Sequence, residues 1–164
     1  MEKIRVGFGF DVHCLQTGRD LWLGGIKIPN NKGLFGHSDA DVLIHSLCDA
    51  LLGAANLRDI GFHFPDTSHE FENIDSKILL RRTMDLIRAK GYIFGNADIT
   101  VCAEKPRINP YIPRMKAVLS DIMIVNEEDL SIKATTSEKM GYIGREEGIA
   151  AYATVLIYKK ISGK

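Results

Sequence analysis

Residues 4–13, IRVGFGFDVH, alternate strictly. Ile4, Val6, Phe8, Phe10 and Val12 fall on one side; Arg5, Gly7, Gly9, Asp11 and His13 fall on the other, and this period of two predicts a strand. The stretch LWLGGIKIP reads as two short strands turned at Gly24-Gly25. At Ser38 the period changes. Ser38 suits an N-cap, Asp41 three residues on completes an acidic variant of the capping box, and a helix is expected over 39–55. Residues 59–75 read as a loop, after which Asp75 or Ser76 caps a second helix carrying Leu80, Met84 and Ile87, with Gly91 as its stop. Alternation returns over 93–103, with Ala97, Ile99, Val101 and Ala103 set against Asp98, Thr100 and Cys102. EKPRINP is a turn, and Ile112, Met115, Leu119 and Ile122 mark a third helix. Residues 130–134 are a short strand, 135–148 a glycine-punctuated loop, and 149–158 the last strand.

Interleaved strands and helices argue for a two-layer α/β (α+β) domain, a mixed β-sheet with helices packed on one face. The 164 residues are the length of one domain, 1–164, with none to spare for a second. The last strand is apolar on both sides: Ile149, Ala151, Ala153, Val155 and Ile157 on one, Ala150, Tyr152, Leu156 and Tyr158 with Thr154 on the other. One layer of helices covers one side, so a neighbouring subunit is expected on the other.

Charge changes the picture by exclusion. With 21 basic and 21 acidic residues the chain lacks the basic excess of a general nucleic-acid or anionic-membrane binder. No apolar run reaches the ~18 residues of a membrane helix, and the first residues show no signal or transit pattern, so the expected location is cytoplasmic. Cys14, Cys48 and Cys102 are odd in number and far apart, which fits small buried hydrophobes in a reducing compartment.

Asp11 and His13 leave the same side of a strand, and Gly7 and Gly9 beside them make room for a ligand or another backbone. A carboxylate and an imidazole so placed suit zinc or a similar ion; the plainer alternative is a strand-end Asp in a turn beside an exposed His. His45, two turns into the helix with Asp41 and Asp49 four residues to either side, is either a third ligand oriented by an aspartate or a histidine satisfied by a helix neighbour. His37 precedes the expected N-cap, beside the free N–H groups that hold anions, and suits a phosphate contact. His63 and His69 read as surface residues. GFGFDV lacks the third glycine and the following helix of a dinucleotide site. KATTSEKMGYIGREEG offers the hydroxyls of Thr135, Thr136 and Ser137, the cations Lys133, Lys139 and Arg145, and Glu138 as a hard oxygen ligand for magnesium or manganese; an ordinary solvated loop has the same composition.

In order and at matching intervals, FDVH (10–13), GHSDADVLIHSLCDALLGA (36–54), DIG (59–61), FPDT (64–67), AEKPRI (103–108) and KATTSEKMGYIGREEGI (133–149) resemble the 2-C-methyl-D-erythritol 2,4-cyclodiphosphate synthase family, over essentially the whole chain. The resemblance implies a homotrimer with active sites between subunits and no nucleic acid or membrane as partner. It implies a reaction that converts 4-diphosphocytidyl-2-C-methyl-D-erythritol 2-phosphate to the cyclic diphosphate and releases CMP. By motif, Asp11, His13 and His45 correspond to zinc ligands, Glu138 to a ligand of a second ion (Mg or Mn), and His37 and Thr136 to a pair that stabilises the transition state. The implied substrate contacts begin with Asp11, Val12, His13 and His37. Ser38, Asp59, Ile60, Gly61, Phe64, Pro65, Asp66, Thr67 and Ser68 lie around the methylerythritol phosphate. Ala103, Glu104, Lys105, Pro106, Arg107, Ile108 and Asn109 lie with Thr135 around the cytidine diphosphate. Thr136, Ser137, Glu138, Tyr142 and Arg145 lie toward phosphate or a central trimer cavity. Arg107 stands where many members have Lys, a cation of different geometry. Two rivals stay open: a metal-dependent phosphohydrolase, in which water attacks, and a non-catalytic trimeric binder of isoprenoid diphosphates.

Overall fold

The computed structural model describes residues 2–71 and 74–160. A five-stranded sheet carries the domain: β1 (Glu2–Thr17), β4 (Lys32–Phe35), β5 (Ile93–Cys102), β6 (Leu130–Thr135) and β7 (Gly148–Lys160), in the spatial order β4-β1-β7-β5-β6. Only β5 and β6 run parallel, joined through α4 (Ile112–Met123); the other neighbours are antiparallel, so the sheet is mixed. The predicted hairpin forms as β2 (Leu21–Leu23) and β3 (Ile26–Ile28), a separate two-stranded ribbon.

One sheet face is covered by α1 (Val42–Ala54), which is backed in turn by α3 (Ser76–Ala89). The covered side of β1 is the glycine side. A Cβ at Gly7 would stand 1.9 Å from the Ala50 carbonyl oxygen, and one at Gly9 2.0 Å from that of Ser46. The room left by these glycines is therefore taken by the helix backbone, which brings α1 hard against the strand that bears Asp11 and His13.

The start of α1 differs from expectation. Its N-cap is Asp41, not Ser38, and the helix begins at Val42. Ala40 sits at φ +57, outside the helical region, which stops the helix from reaching back to Ser38. Asp41 is fully buried and serves three backbone donors: Oδ1 accepts from Ile44 N (3.1 Å) and Gly24 N (2.9 Å), and Oδ2 accepts from Gly25 N (2.7 Å). One carboxylate thus caps the helix and pins the turn of the β2–β3 hairpin to it.

α3 starts at its expected cap, Asp75, and Gly91 adopts φ +77 just after its end. The expected loop over 59–75 contains a short helix, α2 (Ile60–His63), capped by Asp59, and a 3-10 turn at His69–Phe71. The loop over 135–148 likewise holds α5 (Gly141–Gly144). These single turns are too short to show a period in the sequence. Of the cysteines only Cys48 is buried; Cys102 is half-buried and Cys14 exposed. Among the described residues no helix is long and apolar enough to cross a membrane.

The second sheet face is bare and apolar along β1: Ile4, Val6 and Phe8 are 61–65% exposed, and Phe10 and Val12 about 40%. Tyr152 of β7 packs beside Phe10, with ring centroids 5.0 Å apart. Exposed apolar area of this kind on a sheet face is the mark of an association surface.

Candidate active site

Asp11, His13 and His45 converge at the end of the β1–α1 interface, with one ligand atom from each lying within 4.8 Å of the others. Asp11 Oδ2 stands 3.2 Å from His13 Nε2 and 3.0 Å from His45 Nδ1. The far side of the His13 ring is anchored as well. His13 Nδ1 is 3.0 Å from the Phe35 carbonyl oxygen, which can only accept, so Nδ1 donates there while Nε2 faces the Asp11 carboxylate. His45 is held by hydroxyls instead: its Nε2 is 2.9 Å from Ser76 Oγ and 3.2 Å from Ser38 Oγ.

Burial alone would raise the Asp11 carboxyl, but the hydrogen bonds and charges of His13 and His45 outweigh it and hold Asp11 well below the usual carboxylate range. Burial would lower His13, yet the Asp11 carboxylate, the Phe35 carbonyl and the more distant Asp39 raise it overall. One carboxylate oxygen and two imidazole nitrogens, anchored on a strand and a helix, make a three-donor set with an open side. That is the pattern of a catalytic zinc site rather than a closed structural one.

The triad lies in a cavity of about 360 Å³ whose wall also includes His37, Ser38, Ile60, Gly61, Phe64 and Asp66. His37 reaches it by a route other than the expected one. With α1 beginning at Val42, His37 is not at a helix N-terminus; it is exposed and donates from Nε2 to the Asp66 carbonyl. Asp59 caps α2 by accepting from Phe62 N (2.9 Å), and Asp49 accepts from Ile60 N (2.7 Å), so two carboxylates fix the segment that bears Ile60 and Gly61.

A second cavity, of about 580 Å³, is lined by Ala103, Glu104, Arg107, Ile108, Asn109 and Pro110 on one side and Ala134, Thr135 and Thr136 on the other. Asp11, Ala151, Val101 and Ala134 form one row across β1, β7, β5 and β6. Ala134 is thus three strand spacings from Asp11, roughly 14 Å, at the same end of the sheet. Glu104 organises the rim: its Oε1 accepts from Ser137 N (3.0 Å), Ser137 Oγ (3.2 Å) and Lys139 N (3.1 Å). The Lys139 N–H foremost, with the Ser137 donors, holds the Glu104 carboxyl below its ordinary value. Glu138 and Lys139 sit at φ +53 and +63, and Thr136 Oγ1 donates to Glu138 Oε1 (2.7 Å).

Residues 4–158 match the model of the YgbB family. The chain belongs to the YgbB family. It is 68% identical to the 2-C-methyl-D-erythritol 2,4-cyclodiphosphate synthase of Parabacteroides distasonis, an alignment covering 96% of this chain and 98% of that one. The fold is similar to that of the bifunctional IspDF of Campylobacter jejuni (TM-score 0.94, 41% identity), covering 98% of this chain and 43% of that longer one. It is also similar to IspF of Plasmodium falciparum in its CDP complex (TM-score 0.85, 37% identity), covering 96% and 97%.

Within one chain, then, the metal triad shares a cavity with His37, Ser38, Ile60, Gly61, Phe64 and Asp66, while Thr136 lies with the 103–109 segment in the other. Pro65, Thr67, Ser68, Lys105, Pro106, Ser137 and Glu138 border these segments without lining either cavity. Val12 lies on the bare sheet face. Arg145 is engaged by Glu147 through two bonds of 2.9 and 3.0 Å, and Tyr142 is 39% exposed. His63, read as a surface residue, is half-buried and donates to the Leu57 carbonyl (2.8 Å). Of the aspartates flanking His45, neither Asp41 nor Asp49 bonds to its ring, since backbone N–H groups engage both. The sequence reading missed Phe71, Ile74 and Leu79, which line the metal cavity from the second helix and its lead-in. Helical spacing marks Leu79 as apolar but does not aim it at a site.

Proposed function

We propose that the chain catalyses an intramolecular phosphoryl transfer: 4-diphosphocytidyl-2-C-methyl-D-erythritol 2-phosphate becomes 2-C-methyl-D-erythritol 2,4-cyclodiphosphate, and CMP leaves. The observation that carries this reading is the convergence of Asp11 Oδ2, His13 Nε2 and His45 Nδ1 on one open-sided point, in a cavity that also holds His37. The curated name of the 68%-identical relative and the CDP complex of the structural neighbour support it.

In this reaction an oxygen of the 2-phosphate attacks the β-phosphorus, and the bond from that phosphorus to the CMP oxygen breaks with its electron pair. Nucleophile and electrophile belong to one molecule, so the protein's first task is to fold the substrate into an in-line pose. Residues 103–109 and Thr135 hold the cytidine diphosphate end, and Ser38, residues 59–61 and residues 64–68 hold the methylerythritol phosphate. The second task is to offset the charge of one phosphate approaching another. His37 and Thr136 direct hydrogen bonds to the phosphoryl oxygens for this purpose. Zinc at Asp11, His13 and His45, with magnesium or manganese at Glu138, would supply positive charge against those oxygens. No amino-acid nucleophile is needed.

His37 and Thr136 serve one reaction from two cavities, so each complete site takes the metal side of one protomer and the nucleotide side of the next, in a homotrimer closed over the apolar face of β1. Light scattering should return three chains per particle; a fully active monomer would refute the shared site. The decisive assay follows CMP release in water enriched in oxygen-18. Cyclisation leaves the product unlabelled, whereas the phosphohydrolase alternative places solvent oxygen on phosphorus.

A further inference from the structure

α1 carries His45 and, one turn further on, the half-buried Asp49. Residues four apart lie on one face of a helix. His45 turns to the triad, while Asp49 Oδ1 accepts from the backbone N–H of Ile60, the first residue of α2 (2.7 Å). α2 has little else to hold it in place. It is four residues long and none of its residues is fully buried. The chain reaches it through Asn56 and Arg58, non-glycine residues at φ +56 and +70, a backbone that persists only where its surroundings hold it. Three side-chain bonds serve this segment. Asp59 to Phe62 N and His63 to the Leu57 carbonyl are local, within 57–63. Of the three, the Asp49 bond is the one that ties α2 to α1. Ile60 and Gly61, so fixed, line the metal cavity.

We propose that Asp49 is a positioning residue: through the Ile60 N–H it sets where the methylerythritol end of the substrate lies relative to Asp11, His13 and His45. The inference rests on the proposed reaction. α1 acts as a common ruler for the two. Ser46, Leu47 and Cys48, between His45 and Asp49, are fully buried, so the turn of helix that separates them, about 5.4 Å of rise, belongs to the core. The distance from the triad to the 59–61 wall is therefore set by a helix and not by a loop. An in-line attack between two ends of one molecule needs that distance held closely. What the position asks for is an acceptor rather than an anion. Burial foremost, with the charges of Asp59 and Asp11, raises the Asp49 carboxyl against the opposing pull of the Ile60 N–H.

The test compares Asp49→Ala and Asp49→Asn with wild type, each as the full chain with zinc added. The readouts are zinc content, turnover, and the affinities for CMP and for 2-C-methyl-D-erythritol 2,4-cyclodiphosphate. Asp49→Ala leaves the Ile60 N–H without its acceptor. Affinity for the cyclodiphosphate should weaken on the order of tenfold and turnover should fall on the order of 100-fold, with CMP affinity and zinc content unchanged. Asp49→Asn keeps an acceptor oxygen for Ile60 N and should recover most of both losses. Ile60→Pro reaches the same bond from its other end. Proline suits the first position of a helix and removes the N–H, and Asp59 ahead of it is already extended (φ −124, ψ 172). Measured against Ile60→Ala, which keeps the N–H, it should reproduce the Asp49→Ala pattern, and adding Asp49→Ala to it should weaken binding no further. Wild-type cyclodiphosphate affinity in Asp49→Ala, an equal loss of CMP affinity or zinc, or an Asp49→Asn protein as impaired as Asp49→Ala would each overturn the proposal. If Asp49→Ala does not fold, Ile60→Pro carries the test, and cyclodiphosphate affinity equal to that of Ile60→Ala refutes the proposal. Failure of the proposed reaction looks different: wild type itself would bind no cyclodiphosphate, and the inference would fall with it.

Discussion

Around Asp11, His13 and His45, the ligands stem from a long strand and a buried helix in backbone contact; around residues 103–109 and 135–136, most of the lining residues lie in loops or a single 3-10 turn. The first cavity takes its geometry from the core. Its donors can move only if β1 and α1 separate. The second takes its geometry from the bonds that Glu104 makes to residues 137 and 139, at a solvent-facing rim. The contrast matches the chemistry proposed for each. Metal ligands must hold their positions closely, whereas a nucleotide pocket can close on its ligand as it binds. Perturbing the core should therefore destroy the first cavity along with stability, and perturbing the rim should spare both stability and metal.

The largest effect is expected from Gly9→Ala. The new methyl would meet Ser46 O at 2.0 Å and Ala50 N at 2.7 Å, both backbone atoms that cannot rotate away. β1 must lift from α1, which draws Asp11 and His13 away from His45. A loss of about 3 kcal/mol or more in urea unfolding is expected, with zinc binding abolished. The control is Gly53→Ala, an exposed site on α1 where an added Cβ meets nothing within 4 Å. It should gain stability by roughly 0.5–1 kcal/mol through helix propensity. Gly9→Ala with normal zinc content would break the contrast at its root.

Next comes Asp41→Asn. The carboxylate serves Gly24, Gly25 and Ile44 with two acceptor oxygens, and a carboxamide has one. At least one buried N–H is left facing an NH2 group, a cost of about 2–3 kcal/mol. A variant within 0.5 kcal/mol of wild type would mean that the hairpin turn is held by something else.

Asp41 also shows where the sequence stopped being legible. The capping box at 38–41 was readable as a motif, but both of its residues are good N-caps, and what chose between them lies elsewhere. The Gly24-Gly25 amides, far away in sequence, hold Asp41, and Ala40 turns left-handed ahead of it. Likewise, spacing of four along a helix placed Asp41 and Asp49 beside His45, yet each had a nearer backbone donor. The carboxylate that does reach the ring is that of Asp11, from the neighbouring strand. The faces of β1, the hairpin, the three long helices and the chemistry-bearing motifs were all legible, because period and motif are local. The short helices at 60–63 and 141–144, the Phe35 carbonyl behind His13 and the Glu104 clamp were not, because each depends on a tertiary partner.

For the second cavity the test is Glu104→Ala. It removes the common acceptor of Ser137 N, Ser137 Oγ and Lys139 N, and so frees a turn that must hold two non-glycine residues at positive φ. Turnover should fall on the order of tenfold, equivalent to ~1.4 kcal/mol of transition-state stabilisation, with zinc content and melting temperature unchanged. Glu104→Gln retains an Oε1 acceptor and should recover most of the rate. A Glu104→Ala protein that loses zinc would show that the two cavities are not independently built.

The smallest effect is a pH window in metal-free protein. Asp11 is held below its unfolded value of 3.8, so its contribution to stability is full above that value and is lost as pH falls. His13 is raised above its unfolded value of 6.5, so its contribution is full below that value and is lost as pH rises through the raised one. Both contributions are complete only between about pH 4 and 6.5. Glu104, also held low, adds to the acid decline from the other cavity, so the raw profile mixes the two regions. The difference in melting temperature between wild type and Asp11→Asn isolates the triad. It should be greatest inside the window and shrink on either side. Zinc should remove the alkaline decline, because the metal takes His13 in its neutral form and binds more tightly as protons leave. A difference that stays flat from pH 4 to 8 would mean that the triad is not electrostatically coupled in the free protein, and that packing between β1 and α1 alone holds the three side chains together.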